Sequence, residues 1–324
     1  MKLKIALVGL FLAFGPALYA GFLDSREGYV GTSAGQILKL GIGNAEAMAL
    51  GRSYVALAEG VESLGFNPAG IARSNNREFA LGLVSWIDDF KGHYLGYNHP
   101  FMHANFALNA AYMTMGDFDA RDENGIPLAG ANVFVRTGFT HAGFGWSLPT
   151  ERLFFGFATK AVYEDFYGNT STNFAFDGGL LWAGNGGLQL GTSILGLSLD
   201  DEKIPWSYRL GASYSFPEFV TVTSDFIQDR DSQARIGTGL VIDLPESEDI
   251  GLVSLRVGYF SADDQGESRL GLLKRFKLHR TSGISYGIGI DSQSESLYRM
   301  SLDYALVPLG ALGTAHHVNL KFRF

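Results

Sequence analysis

The chain has 324 residues, 42 of them glycine, with 18% charged and 13% aromatic residues and no cysteine. An average soluble domain carries about 25% charged residues, whereas a bundle of membrane-spanning helices would be far more apolar than a mean hydropathy of +0.08. The net charge of −8 argues against nucleic acid as a partner, and the lack of cysteine excludes disulfides and thiolate metal sites. This balance favours a β-barrel, whose strands turn one face to lipid and the other to a polar lumen.

The first twenty residues predict a cleaved signal peptide. Lys2 and Lys4 form a positive start, residues 5–18 form an apolar run, and a small residue, Ala20, precedes the expected cut. The run is shorter than the ~20 residues that a spanning helix needs. We therefore expect export across the inner membrane, with the mature chain in the cell outer membrane.

Residues 21–76 predict a plug inside the barrel. They are rich in Ala, Gly and Leu without two-residue periodicity, too apolar to stay free and too short for a core of their own. A barrel of this size has a lumen that its own side chains do not fill. The candidates for packing or gating in this segment are Gly51, Arg52, Asn67, Pro68 and Ala69.

Asn67 and Pro68 have two interpretations. Asn is a preferred helix N-cap, and Pro is common at the first helical position, so the pair can simply start a helix. The alternative is a role in gating the lumen. The sequence leaves both open.

From residue 77 to 324 the dominant pattern is alternation. Val318, Leu320, Phe322 and Phe324 share one face of the last segment, because successive side chains of a strand point to opposite sides. Similar segments recur, and we predict an all-β, antiparallel transmembrane β-barrel of about 14 strands over 77–324. Short connections (near 100–103, 146–151, 184–187, 216–218 and 292–296) alternate with longer ones (117–130, 198–204, 262–280 and 308–316), as periplasmic turns and external loops do.

Aromatic residues recur near the predicted strand ends, as an interfacial girdle requires. They are Trp86, Trp146, Tyr163, Trp182, Trp206, Tyr259 and Tyr304.

Charged residues of both signs lie on the polar face of the predicted strands. Mixed signs are typical of a lumen whose paired charges hold plug and wall together, whereas a selectivity filter would need one sign at a constriction. The predicted lumen charges are Lys160, Glu164, Arg209, Asp225, Arg256, Asp291, Arg299, Asp303, Lys321 and Arg323.

The last strand also predicts an assembly signal. Leu320, Phe322 and the terminal Phe324 lie on one face, and a final aromatic on an alternating strand resembles the segment that the barrel-assembly machinery recognises. The expected partners are thus that machinery and outer-membrane lipid.

Catalytic and metal sites are not expected. Ser33 lies in a G-x-S-x-G pattern, but no strand precedes it, as a nucleophile elbow would require. The histidines are scattered, and the neighbours His316 and His317 would point to opposite faces of a strand. We predict no enzyme activity, no metal and no cofactor.

Two blocks resemble a known family. The first runs from residue 31 to 41 and on through Ala45, Gly51 and 54–58 to Asn67-Pro68-Ala69-Gly70; the second covers 303–310, 312–313, His316 and 323–324. They resemble the PorV/PorQ family of outer-membrane proteins, which are similar to the FadL long-chain fatty-acid transporters. The resemblance implies a fourteen-stranded barrel with an N-terminal plug. Glu46 and Arg52 depart from the small residues expected in that segment.

The resemblance implies two functions. The leading hypothesis is that the barrel binds or passes a hydrophobic small molecule across the outer membrane. The alternative is an outer-membrane component of a type IX secretion pathway, with cargo or translocon proteins as partners. An open general porin is a weaker hypothesis, because a plug would block the lumen.

Overall fold

The computed structural model describes residues 35–87, 90–102, 104–121, 124–148, 152–198, 204–217, 219–232, 234–247, 251–261, 283–292, 298–309 and 313–324. The predicted signal peptide at 1–20, Ser33, residues 21–34 of the predicted plug and the predicted loop at 262–280 lie outside these ranges.

Fourteen antiparallel strands form a closed barrel, because β1 pairs with β14 as well as with β2. This confirms the predicted fold class. The strands are β1 (Glu78–Ser85), β2 (Lys91–Pro100), β3 (Ala104–Arg121), β4 (Pro127–Ser147), β5 (Leu153–Phe166), β6 (Asn169–Ala183), β7 (Leu188–Leu197), β8 (Ser207–Phe216), β9 (Val220–Asp229), β10 (Arg235–Asp243), β11 (Leu252–Phe260), β12 (Ile284–Ser292), β13 (Arg299–Pro308) and β14 (Thr314–Arg323).

Alternating burial along the strands separates an inner from an outer face. In β1, Glu78 and Ala80 are buried, while Leu81 and Leu83 are 40% and 55% exposed. A buried carboxylate beside exposed leucines is the reverse of a water-soluble sandwich and suits a lipid-facing outer wall. On β14, His317 is buried and His316 lies on the opposite face, as the sequence predicted.

The connections sort to the two ends of the barrel. The short ones predicted from sequence join strands at the end where β1 starts and β14 finishes, called here the terminus end; the opposite end is the loop end. One predicted loop, 117–130, is wrong, since β3 continues to Arg121 and β4 starts at Pro127. Inter-strand hydrogen bonds persist there through two bulges, which disturb the alternation that would have revealed the strands.

One predicted girdle residue is also wrong. Trp86 packs against the interior core and contacts the buried His317 edge-on, with ring centroids 6.2 Å apart. It follows the last residue of β1 with the same parity as the buried Ala80 and Val84, so the alternation of the strand itself directs its ring into the lumen. Trp146 and Trp182 near the terminus end are 45% and 40% exposed, as a girdle requires.

Residues 35–76, called here the lumenal segment, contain only short helices. Helix α1 (Ala45–Ala49) lies between 3-10 helices at Gln36–Leu40 and Val61–Gly65, and a third 3-10 helix follows at Pro68–Arg73. No helix in the described part of the chain has the length and apolar character needed to span a membrane.

Candidate functional site

The lumenal segment contacts the inner wall at both ends of the barrel. Near the loop end, the Gly35 amide donates to Glu164 at 2.8 Å, and Lys39 forms an ion pair with Asp231 at 2.5 Å. Near the terminus end, the Ser74 hydroxyl donates to Glu78 at 2.9 Å. The segment therefore runs along the barrel from the loop end to the terminus end.

A belt of inward-facing strand glycines lets the segment approach the wall closely. A Cβ added at any of them would lie no farther than 3.0 Å from an atom of the lumenal segment. Only a residue without a side chain allows backbone to pack against backbone at this distance. The belt consists of Gly145, Gly156, Gly179, Gly191, Gly211, Gly237, Gly239 and Gly258 on β4–β8, β10 and β11.

Polar side chains of the wall bind the backbone of the segment within the same belt. The carboxylate of Asp225 accepts hydrogen bonds from the amides of Tyr54 and Val55, both at 2.8 Å. The Ser285 hydroxyl accepts from the Gly51 amide at 3.2 Å and donates to the Ala49 carbonyl at 2.9 Å. Buried backbone groups outside regular helices need such partners, so the wall satisfies the irregular segment.

Asn67 is both a helix cap and a tether. Its side-chain oxygen accepts from the Ala69 amide at 3.1 Å, with Pro68 at the start of the 3-10 helix. Its amide nitrogen donates to the carbonyls of Val55 and Leu180, each at 3.0 Å. A helix cap explains only the bond from Ala69. The bonds to Val55 and Leu180 connect Asn67 to another part of the lumenal segment and to β6.

Ion pairs connect the segment to β11, β13 and β14. Glu46 lies 3.2 Å from Arg256, which also pairs with Asp303 at 2.5 Å. Glu62 pairs with Lys321. Glu46, which departs from the family pattern, thus has a partner on the wall.

The remaining predicted lumen charges lie at different depths. Lys160 pairs with Asp177 at 2.9 Å, and both are buried. Arg209 stacks over the Phe66 ring, its guanidinium carbon 5.3 Å from the ring centre. At the terminus end, Arg323 pairs with Asp291 at 2.9 Å, while Arg299 is exposed.

Two charged residues of the lumenal segment pack against the wall, Glu62 fully buried and Arg52 partly buried. Burial raises the pKa of Glu62 above its usual value, and the attraction of Lys321 opposes the shift. Arg52 has a left-handed backbone (φ 63) next to Gly51, and its guanidinium lies 4.7 Å from the centre of the Phe260 ring. Arg52, the second departure from the family pattern, thus packs on the wall.

The predicted assembly residues lie on the outer side of β14. Leu320 and Phe322 are partly exposed, alternating with buried Asn319 and Lys321, and Phe324 is 46% exposed. Phe324 and Arg77 exchange backbone hydrogen bonds at 3.0 and 3.1 Å, which hold the terminal residue at the closing seam.

A cavity lies between the lumenal segment and the wall, towards the loop end. The space in it that is open to a water-sized molecule is about 60 Å³. Apolar side chains form one part of its lining, and polar ones, including His141, Asn109 and Lys160, form another. The apolar part comprises Leu38, Ile42, Phe66, Tyr94, Phe139 and Leu195.

The described residues form no metal site, since no three His, Asp or Glu side chains among them converge on a point that could hold an ion. The cavity also has no cluster of one charge sign, because Lys39, Lys160 and Arg209 line it together with Glu62 and Asp229. The arrangement can enclose a small molecule that is apolar over most of its surface.

Sequence analysis missed the glycine belt and the polar lining of the cavity. Glycine is common on the polar face of barrel strands, so the positions of these glycines in the sequence did not indicate that the lumenal segment packs against them. His141 and Asn109 do fall on the inward parity of β4 and β3, and that parity was the available signal.

No protein-family model and no curated protein matches the sequence. Among solved structures, similar folds occur in a TodX deltaS2S3 mutant, a monoaromatic hydrocarbon channel (14% identity, TM-score 0.55, 82% of this chain and 93% of that chain). A second is the Ralstonia pickettii toluene transporter TbuX (12% identity, TM-score 0.55, 86% of this chain and 96% of that chain). A third is a Pseudomonas aeruginosa FadL homologue (11% identity, TM-score 0.50, 87% of this chain and 98% of that chain). At these identities the likeness establishes the fold alone, a FadL-like barrel of the outer-membrane type. None of the three is named as an enzyme.

Proposed function

We propose that this barrel binds a small, largely hydrophobic molecule in its interior and passes it across the outer membrane. The observation that carries the proposal is the cavity between the lumenal segment and the wall, whose lining includes Leu38, Phe66, Phe139 and Leu195. An apolar pocket with a few polar groups is the usual form of a small-molecule site. The named substrates of two similar folds, a monoaromatic hydrocarbon and toluene, agree with this chemistry.

Contacts between segment and wall argue against an open porin. The glycine belt brings residues 50–72 against seven strands, Asp225 binds the backbone of the segment, and Asn67 binds the backbone of the wall. A lumen filled in this way lacks the wide aqueous channel of a general porin. The lumenal segment thus serves as a plug, and a bound molecule leaves through a local opening.

A sideways exit into lipid fits the geometry of the wall. Tyr94 and Phe139 line the cavity and also border a hollow on the outer face, beside Gly138 and Thr140. The hollow is mainly apolar and is open to the surroundings, where acyl chains would lie. Passage from the cavity to the hollow then requires a local opening of the backbone pairing between β2, β3 and β4, besides a shift of these two rings.

Membership of the PorV/PorQ family is a finer proposal that depends on the two sequence blocks. Its consequence, a role in type IX secretion, stays a prediction, and it would use the external loops to bind cargo or translocon proteins. Co-purification with secretion proteins from a native membrane supports that role. Their absence, with a bound hydrophobic molecule present, favours passage.

Uptake of radiolabelled toluene by Gram-negative cells that display the barrel tests the proposal. We expect faster uptake than in cells without the chain, because lipopolysaccharide slows unaided entry. Native mass spectrometry of the detergent-extracted barrel should also detect a bound apolar molecule. Equal uptake with and without the barrel, together with consistently empty protein, contradicts the proposal.

A further inference from the structure

We propose that the cavity recognises a neutral hydroxyl group, so that the preferred ligand is a small aromatic or aliphatic alcohol rather than a pure hydrocarbon or a carboxylate. The proposal rests on the proposed function and specifies its substrate class. It follows from two buried polar side chains that line the cavity, His141 and Asn109.

His141 is the central residue. It lies on the inner face of β4 and is 2% exposed, and neither of its ring nitrogens has a hydrogen-bond partner among the described residues. A buried imidazole without an acidic partner is neutral, with one nitrogen that donates and one that accepts. Leaving both unsatisfied is costly, and a hydroxyl group can serve either nitrogen.

Asn109 supplies a hydrogen-bond acceptor next to His141. It pairs in register with His141 across β3 and β4, and it is 3% exposed. Its amide nitrogen donates to the Tyr94 hydroxyl at 3.3 Å, whereas its side-chain oxygen has no partner within the described structure. A ligand hydroxyl that accepts from His141 can therefore donate to Asn109.

The charges around the cavity argue against an anionic group. Lys160, the register neighbour of His141 on β5, is engaged by Asp177 at 2.9 Å. Lys39 is likewise engaged by Asp231. The third cation of the lining, Arg209, is attracted by Asp229 and Asp225. Glu62 and Asp229 also line the cavity, so a carboxylate would have to compete with acids of the protein for each cation and face like charge.

Aromatic rings next to His141 suit the rest of the ligand. Phe139 stacks on the imidazole, with ring centroids 4.8 Å apart and planes 21° apart. Tyr94 and Phe66 line the same space. Offset and edge-on contacts with these rings favour an aromatic body, which makes phenol a fitting probe.

Calorimetric titration of the folded barrel in detergent tests the proposal with three probes that share one ring: phenol, toluene and benzoate. We expect the wild type to bind phenol most tightly. His141→Phe should weaken phenol binding about tenfold, the value of one or two hydrogen bonds, and leave toluene binding unchanged. His141→Gln, which keeps a donor and an acceptor, should restore much of the phenol affinity.

His317→Phe is the matched control. His317 is also buried, and its nitrogens have no partners among the described residues either, but it does not line the cavity. It should leave all three affinities unchanged. Equal loss of phenol affinity in both His→Phe variants, equal binding of phenol and toluene by the wild type, or tightest binding of benzoate would each overturn the hydroxyl site while the proposed function stands. Binding of none of the probes counts against the proposed function itself.

Discussion

Glu62 of the lumenal segment forms a buried ion pair with Lys321 of the last strand, and both side chains are less than a tenth exposed. The pair joins the segment to the strand that closes the barrel, next to Asn319, which donates to the same carboxylate at 2.9 Å. Closure of the barrel and docking of the segment therefore share one polar cluster.

Breaking this pair should destabilise the protein strongly. Removing one partner of a buried ion pair leaves the other charge uncompensated, at a cost of about 3–5 kcal/mol. We expect Glu62→Leu to lower the midpoint of denaturant unfolding in detergent. The double variant Glu62→Leu/Lys321→Met, which removes both charges, should recover most of the loss. A single variant as stable as the wild type contradicts the structural role of the pair.

Asn67→Ser separates the two interpretations of the Asn-Pro pair. Serine is a neutral N-cap residue that keeps an acceptor for the Ala69 amide but loses the donor to Val55 and Leu180. If Asn67 only starts a helix, the variant is neutral. We expect a loss of about 1–3 kcal/mol instead, the cost of leaving buried carbonyls unpaired. Hydrogen–deuterium exchange should rise at residues 54–58, where the tether ends.

The neighbouring glycines Gly178 and Gly179 provide a matched test of the glycine belt. A Cβ at Gly179 would collide with the side chain of Asn67, whereas a Cβ at Gly178 meets nothing within 4 Å. Gly179→Ala should therefore increase protease cleavage of the lumenal segment, and Gly178→Ala should not. Equal behaviour of the two variants would falsify close packing at this point of the wall.

A large side chain in the outer hollow should slow passage if the molecule leaves sideways. Thr140 is exposed and lines the hollow. Thr140→Trp should reduce toluene uptake severalfold without changing the stability of the barrel. Thr159→Trp, on the same outer face but not in the hollow, is the control. Undiminished uptake by Thr140→Trp means that the exit lies elsewhere.

The sequence predicted the strand count and most side-chain directions because lipid imposes a strict two-residue period, as on β14 with His316 and His317. It failed at the bulged extensions of β3 and β4, where that constraint ends. At Trp86 the two-residue period does give the inward direction of Ala80 and Val84, and the position near a strand end was the misleading signal. The contacts between the lumenal segment and the wall could not be predicted from the sequence either. Asp225 binds backbone amides, and every residue except proline has such an amide, so the residue type does not identify the partner.

The most direct test of the account fills the cavity from within. Gly65 lines it, and a Cβ there would meet no atom within 4 Å, so the side chain of Gly65→Trp starts in open space and extends into the cavity. Gly178→Trp, which also projects into open space but does not line the cavity, is the control. The account predicts that toluene uptake by cells falls to background with Gly65→Trp and stays at the wild-type rate with Gly178→Trp. Wild-type uptake by a folded Gly65→Trp barrel would contradict it.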